Sequence, residues 1–276
     1  MKIRLWRMKL LFFACTMLIS TCTFSQKSGQ TDWEIGGSVG WSWYNGDLNS
    51  TKIFGQDYMH KMYGLNLRRN LNQRWALRFE GNYGELSADD ALSENTFQLQ
   101  RNLNFKSKLY EGAGMIEFNF LEFDALIPKY RFSPYTFIGL GVFRFDPETT
   151  IEGNVYKLHS LQTEGKSYSR TNVSIPFGLG FKLALSDRIL VSTDWGMRKT
   201  FSDYIDDVSD MYPKAGDLTG LAENLSDRSL QQSGPDGSNW GTQRGNARSK
   251  DWYSIVKITL AIRIGPKKGS CKHLRI

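Results

Sequence analysis

Residues 251–264 read DWYSIVKITLAIRI, and apolar side chains hold every second position: Trp252, Val256, Ile258, Leu260, Ile262 and Ile264, with Ser254 the single gap. The other parity holds Tyr253, Ile255, Lys257, Thr259, Ala261 and Arg263. Side chains in a strand point alternately to opposite faces, so this stretch predicts a strand with one apolar face and one that turns polar along its length. Its length and the two cations on the second face fit a strand that meets lipid on one side and a polar lumen on the other.

Seven earlier stretches carry the same period. Residues 32–44 place Trp33, Ile35, Gly37, Val39, Trp41 and Trp43 on one parity. Residues 62–70 alternate Tyr63, Leu65 and Leu67 against Asn66 and Arg68, and a short turn at 70–73 leads into 74–86, where Trp75, Leu77, Phe79, Gly81 and Tyr83 face away from Arg78, Glu80 and Asn82. Residues 106–120 set Tyr110, Gly112, Gly114, Ile116 and Phe118 against Glu111 and Glu117. Residues 133–145 offer Tyr135, Phe137, Gly139, Gly141 and Phe143 as the apolar parity. Residues 172–185 and 189–198, joined by the tight turn Ser186-Asp187-Arg188, complete the set. The connections alternate too, long and polar at 45–61, 87–105, 146–171 and 199–250 and shorter between. The expected fold is all-β, an eight-stranded antiparallel transmembrane β-barrel of the outer-membrane type with short periplasmic turns and long external loops.

That fold decides how the charged parity reads. Eight strands leave an interior just wide enough for side chains to fill. Arg68, Arg78, Glu80, Glu111, Glu117, Arg144, Lys182, Asp194, Arg198, Lys257 and Arg263 are expected to point inward and pair as a structural network that plugs the lumen. Strand glycines such as Gly112, Gly114, Gly139 and Gly141 are expected at bends or close approaches. Trp33, Trp43, Tyr63, Trp75, Tyr135, Trp195 and Trp252 suit interfacial girdles. A soluble sandwich with aromatic core positions is the competing architecture, and the loop asymmetry and charged second parity weigh against it.

Composition adds a leader and removes a partner class. Lys2, Arg4, Arg7 and Lys9 precede an apolar run at 10–19 and a small-residue exit at Thr23-Phe24-Ser25, so residues 1–25 read as a cleaved signal peptide; lipidation at Cys22 is disfavoured by Thr21 before it. The barrel is expected over 26–264 and a periplasmic basic tail over 265–276. The formal charge of +7 falls to +3 without the leader, so the basic balance does not argue for nucleic acid. Cys15 and Cys22 leave with the leader, and Cys271 alone supports neither a disulfide nor a cysteine metal site.

Candidate chemistry is sparse. His60, His159 and His273 lack metal-ligand spacing. Asp203, Asp206, Asp207 and Asp210 crowd FSDYIDDVSD, and His159 with Asp206 and Asp207 is the alternative constellation for a surface enzyme or binder acting through the external loops. A capped loop element is the simpler account. No nucleophile elbow, phosphate loop or dinucleotide fingerprint occurs. The expectation is a protein without catalytic residues, metal, cofactor or small-molecule substrate. In the long fourth loop the first part is expected to pack on the rim and the second, SLQQSGPDGSNWGTQRGNARS, to be mobile.

YNGDLN (44–49), GLGVFRFDP (139–147), LHSLQTEG (158–165), IPFGLGFK (175–182), WGMRKTFSDYIDDVS (195–209) and the closing RG…DWY (244–253), in that order, resemble the PorG-like family of Bacteroidetes outer-membrane barrels associated with the type IX secretion system. The resemblance implies a non-enzymatic barrel that docks a periplasmic ring lipoprotein and its ring partner to the outer membrane. It singles out Arg198, Lys199, Asp203, Tyr204, Asp206 and Asp207 as the family-motif loop. With outer-membrane lipids as the surroundings, the docking face would be made by Asp187 and Arg188 in a short turn and Lys267, Lys268 and Lys272 in the tail.

Overall fold

Eight strands pair in a ring, each antiparallel to its neighbours. In this computed structural model, residues 32–49, 58–230 and 238–265 are described. The strands are β1 (Trp33–Asn45), β2 (His60–Asn70), β3 (Trp75–Asp89), β4 (Asn104–Asn119), β5 (Phe132–Ile151), β6 (Asn154–Lys157), β7 (Thr171–Ala184), β8 (Ile189–Thr200) and β9 (Trp252–Ile264). The order β4-β3-β2-β1-β9-β8-β7-β5 closes because β4 also pairs β5, so the ring has no free edge. The main body is Thr31–Ile276; the segment Met1–Gln30, with the signal-peptide reading of residues 1–25, lies outside the described residues, as does the tail from 266 onward.

The alternation predicted for β9 is seen directly. Ile258, Leu260, Ile262 and Ile264 are exposed, whereas Lys257, Thr259, Ala261 and Arg263 are buried. The same division runs round the ring, and the exterior is an apolar belt that includes Ile35, Val39, Leu65, Ile138, Leu140 and Leu179. Toward the end where Trp33 meets Ile264, Trp75, Phe118, Phe132 and Phe181 border the belt; at the loop end Trp41, Tyr63, Tyr83 and Tyr110 do so. From Trp75 to Tyr83 the strand rises ~27 Å at ~3.4 Å per residue, ~20 Å along the axis at a ~40° tilt, which suits the apolar layer of a transmembrane barrel.

The lumen is ionic. Arg68, Arg78, Lys182, Arg198, Lys257 and Arg263 are buried with Asp32, Glu34, Glu80, Glu111, Glu117 and Asp194. Glu117 contacts Arg68 at 2.9 Å, Arg78 at 3.1 Å and Lys182 at 3.3 Å. Glu80 contacts Lys257 at 2.5 Å, Arg198 at 3.2 Å and Arg78 at 3.4 Å. Glu111 accepts from Arg198 at 3.3 Å, from the Tyr253 hydroxyl at 2.5 Å and from Asn82 at 2.7 Å. Glu34, on the polar parity of β1 but not singled out from sequence, pairs Arg68 at 2.7 Å. Apolar plugs lie on either side. The link after β4 turns inward, seating Phe123 and Ala125 on Ala184, Leu190 and Ala261. Beyond the network toward the loop end, Met62, Leu86, Leu109, Phe143, Phe145 and Ile255 pack into a second core.

Several expectations are overturned by the structure. Strand β5 presents the parity opposite to the one expected: Tyr135, Phe137, Phe143 and Phe145 are inside, and Ile138, Leu140 and Val142 outside. Both parities of β5 are apolar, so alternation cannot choose between them. The lumen decides, because Tyr135 donates to Asp194 at 2.9 Å and Phe137 lies 4.5 Å beneath the Arg78 guanidinium. Arg144 therefore points out, not into the ion network, and Tyr135 belongs to no girdle; Trp43 is buried as well. Residues 146–171 are not all loop, since β5 runs on to Ile151 and returns as β6 through Glu152 and Gly153, both at positive φ as a type I′ hairpin requires. Of the strand glycines, Gly139 does mark a close approach, where a side chain would strike the Gly114 carbonyl, but Gly112 faces open space and Gly114 meets only ordinary contact.

Glu117→Leu takes the paired carboxylate from Lys182 and one of the partners from each of Arg68 and Arg78, and is expected to destabilise the barrel by roughly 3–5 kcal/mol, whereas Asp187→Asn, which removes only the rim pair with Arg131, should change it by less than about 1 kcal/mol. Urea unfolding of the two variants in detergent would measure both; equal effects would show that the network does not carry the fold.

Candidate functional site

The fourth loop folds into the barrel mouth because its sequence carries two apolar side chains on a tight, acid-rich bend. Ile205 and Val208 are fully buried in the loop-end core beside Tyr44, Phe143, Phe145 and Tyr253. Between them the chain reverses at Asp207, whose φ of 66° is left-handed. The Asp206 carboxylate fixes that bend by accepting from the Val208 N–H at 3.0 Å.

The segments that carry the family resemblance meet around this bend. From YNGDLN, the Tyr44 hydroxyl lies 2.6 Å from Asp206 Oδ2 and 2.7 Å from Asp251 Oδ1. From the closing segment, Asp251 accepts the Ile205 N–H at 2.9 Å. From LHSLQTEG, Thr163 donates to Asp207, and Glu164 accepts the Ser209 N–H at 2.9 Å. Arg244 donates to the Asp207 carbonyl at 2.6 Å and to Glu164 at 3.0 Å. Arg101 then joins the second long loop to this set, binding Asp90 at 2.7 Å and the carbonyls of Arg244 at 2.7 Å and Asp47 at 3.0 Å.

A phenol has one hydrogen, so Tyr44 can donate to only one of its two carboxylate neighbours. The other contact is favourable when a carboxyl proton completes it. Burial drives both carboxyls well above the usual range, and for Asp206 the adjacent Asp251 charge adds to it. Burial also pushes Asp207 up to about 6, although Arg244 and the hydroxyls of Thr163 and Tyr168 oppose the shift. Asp47, near the same cluster, is pushed up to about 6 by burial against the Asn246 N–H and Arg101.

The residues singled out from sequence therefore divide. Asp203, Tyr204, Asp206 and Asp207 come together in the cap: Asp203 accepts from Ser209 at 2.7 Å, and Tyr204 stacks on Tyr168 at 4.5 Å. Arg198 lies in the lumen below, and Lys199 lies outside over Trp252 at 5.8 Å. Asp187 and Arg188 sit at the opposite end, Asp187 paired with Arg131 and the Arg188 carbonyl accepting from Arg263 at 2.8 Å. Lys267, Lys268, Lys272 and His273 are outside the described residues. His159 donates to the Tyr168 carbonyl at 2.9 Å, and Tyr168 in turn donates to Asp207 at 2.6 Å, so the His–Asp constellation is not in direct contact. His60 stands apart at the rim, 2.5 Å from Ser87. In the part of the fourth loop expected to be mobile, Asn239 and Arg244 are buried and bonded, Arg244 to the Asp207 carbonyl; residues 231–237 are outside the described set. Sequence reasoning missed Arg101 and Asp90, a pair that no local motif signals.

A family model described as "Domain of unknown function (DUF6089)" matches residues 11–273. No curated protein matches. Among solved structures, Ail, the attachment invasion locus protein of Yersinia pestis, is 11% identical with a TM-score of 0.41, covering 86% of this chain and 100% of its own. Neisserial surface protein A is 10% identical with a TM-score of 0.42, covering 83% and 96%. OprG from Pseudomonas aeruginosa is 9% identical with a TM-score of 0.41, covering 86% and 97%. Likeness at this level carries no function across.

Two outcomes follow for the cap. A side chain at Gly46 would run into the Tyr44 hydroxyl and the Asp251 carboxylate, so Gly46→Ala is expected to loosen the cap by roughly 1–3 kcal/mol and speed proteolysis within 201–251 while the strands stay protected. The carboxyl shifts set a pH dependence. A folded-state value near 6 for Asp47 and Asp207 lies above the unfolded value, so their contribution is complete below about pH 4 and is lost as pH rises through about 6. Amide exchange at Ile205 and Val208, corrected for intrinsic rates, should be slower near pH 4.5 than near pH 7.5; the reverse order would refute the sign (~1 kcal/mol or more per unit shifted).

Proposed function

The chain belongs to the DUF6089 family, and we propose that this member is an outer-membrane barrel that docks periplasmic ring proteins of the type IX secretion system, without enzymatic activity. The observation that carries the reading is the filled interior. Phe123 and Ala125 obstruct the turn end, the ion network fills the middle, and Ile205 and Val208 seal the loop end. A barrel so packed is no conduit, and its work falls to its two ends. The resemblance of six ordered segments to the PorG-like family supplies the specific machine. Outer-membrane placement is supported by the apolar belt and its aromatic borders. In this orientation the turn carrying Asp187 and Arg188 faces the periplasm, where the ring lipoprotein and its partner would be met.

The alternative, a surface enzyme or binder built on the Asp run, has less support. Asp206 and Asp207 are fully buried and their oxygens are engaged by Tyr44, Val208, Thr163 and Tyr168. Such carboxyls hold a loop in place; they are not presented to a substrate.

Deleting the gene and fractionating the cells tests the proposal. Secreted cargo should accumulate in the periplasm with the outer membrane intact, and charge reversal at Asp187 and Arg188 should reduce co-purification of ring proteins. Normal secretion would reject the secretion role, leaving the fold untouched. An activity abolished by Asp206→Asn and Asp207→Asn in a correctly folded barrel would favour the surface-enzyme alternative.

A further inference from the structure

The outward turn of Arg144 places a cation where a transmembrane barrel has little use for one. Arg144 is exposed on β5 and makes no ion pair or side-chain hydrogen bond with any described residue. The next outward carboxylate on the strand, Asp146, is already held by Arg170 at 2.9 Å and Lys157 at 3.0 Å. An unpaired guanidinium facing lipid is costly in the apolar layer and tolerable at its polar border. The register puts Arg144 at that border, because Tyr63, Tyr83, Tyr110 and Arg144 form one row across β2, β3, β4 and β5. Tyrosines prefer the headgroup level.

The row beneath it, on the membrane side, is Leu65, Gly81, Gly112 and Val142. Two adjacent glycines facing out leave a furrow between larger neighbours. A side chain placed on Gly112 would meet nothing within 4 Å, and the furrow ends toward the membrane centre where the Phe79 ring lies against Gly114. The result is a groove of ≈ 740 Å³ on the outer wall, with apolar sides, a glycine floor and Arg144 at its loop-end mouth. From Tyr110 to Gly112 it runs about 7 Å, room for the first few carbons of an acyl chain.

We propose that this groove is a binding site for a phosphate-bearing lipid of the leaflet at the loop end, its acyl chain lying over Gly81 and Gly112 and its phosphate held by Arg144. Charge complementarity selects the headgroup: a guanidinium fork pairs phosphate oxygens in a bidentate way, and the groove holds no competing carboxylate free to take it. The apolar floor selects a lipid over a soluble anion. The inference rests on the transmembrane reading of the barrel and not on the secretion role. Protection of the strands from protease after insertion into phosphatidylcholine vesicles reports on that reading separately.

The test is native mass spectrometry of the full chain released from detergent micelles, offered dioleoyl phosphatidate or dioleoylglycerol, which share acyl chains and differ by the phosphate. Phosphatidate should be retained as a single adduct in preference to dioleoylglycerol. Arg144→Gln should cut phosphatidate retention on the order of tenfold, a loss of about 1.4 kcal/mol, to the level of the neutral lipid. Gly112→Leu should reduce retention of both by filling the floor. Arg144 is exposed on the outer face of β5, so its variant keeps the question answerable if the glycine variant folds poorly. Equal retention by the parent and Arg144→Gln would overturn the proposal. So would displacement by excess inorganic phosphate, which would make this a soluble-anion site, or a dimer lost in Gly112→Leu without phosphatidate preference, which would make the groove a contact between copies.

Discussion

Charge in this barrel's interior is arranged around two glutamates. Glu117 and Glu80 each meet three cations, and Arg78 touches both. The Glu80–Arg198 and Arg78–Asp194 pairs join β3 to β8, four places away in the ring, and so tie opposite walls together. Burial makes each ion expensive on its own, so losing one member leaves buried partners less compensated, Lys182 most of all if Glu117 is removed. That constraint explains several other features. The aromatics of β5 turn inward to lie against Arg78 and to donate to Asp194. The turn after β4 folds in to shield the lower tier, with Lys182 5.0 Å from the Phe123 ring.

The loop end follows a different logic. There the interior is apolar, and the cap is held by carboxyls, a phenol and two arginines at the water side of that core. Tyr44 is the junction, since it belongs to the barrel wall and touches the carboxylates of both Asp206 and Asp251. Closing the mouth this way brings together segments as far apart as residues 44 and 251 and turns a long polar loop into a built structure. A barrel sealed at both ends and filled between them has its exterior and its two rims left for partners, which is where the docking proposal and the lipid groove both lie.

The sequence by itself determined the strands, their number in the ring and most of their faces. Where one parity was charged and the other greasy, as in β9 or in β3 with Arg78 and Glu80, the period of two left no choice about what faced the lumen. The loop asymmetry placed the long connections at one end, and the Ile205–Val208 segment was legible as the ordered part of the fourth loop. Only the tertiary structure decided the faces of β5, because both of its parities are apolar and its orientation depends on Asp194 and Arg78 from other strands. The same choice sent Arg144 outward. Tertiary structure also decided the cap: Arg101 with Asp90, and Arg244 with Glu164, are pairs formed across loops with no shared local pattern. Alternation is a local property of one strand, so the chain can announce it alone; which buried charge meets which is settled only when the ring closes.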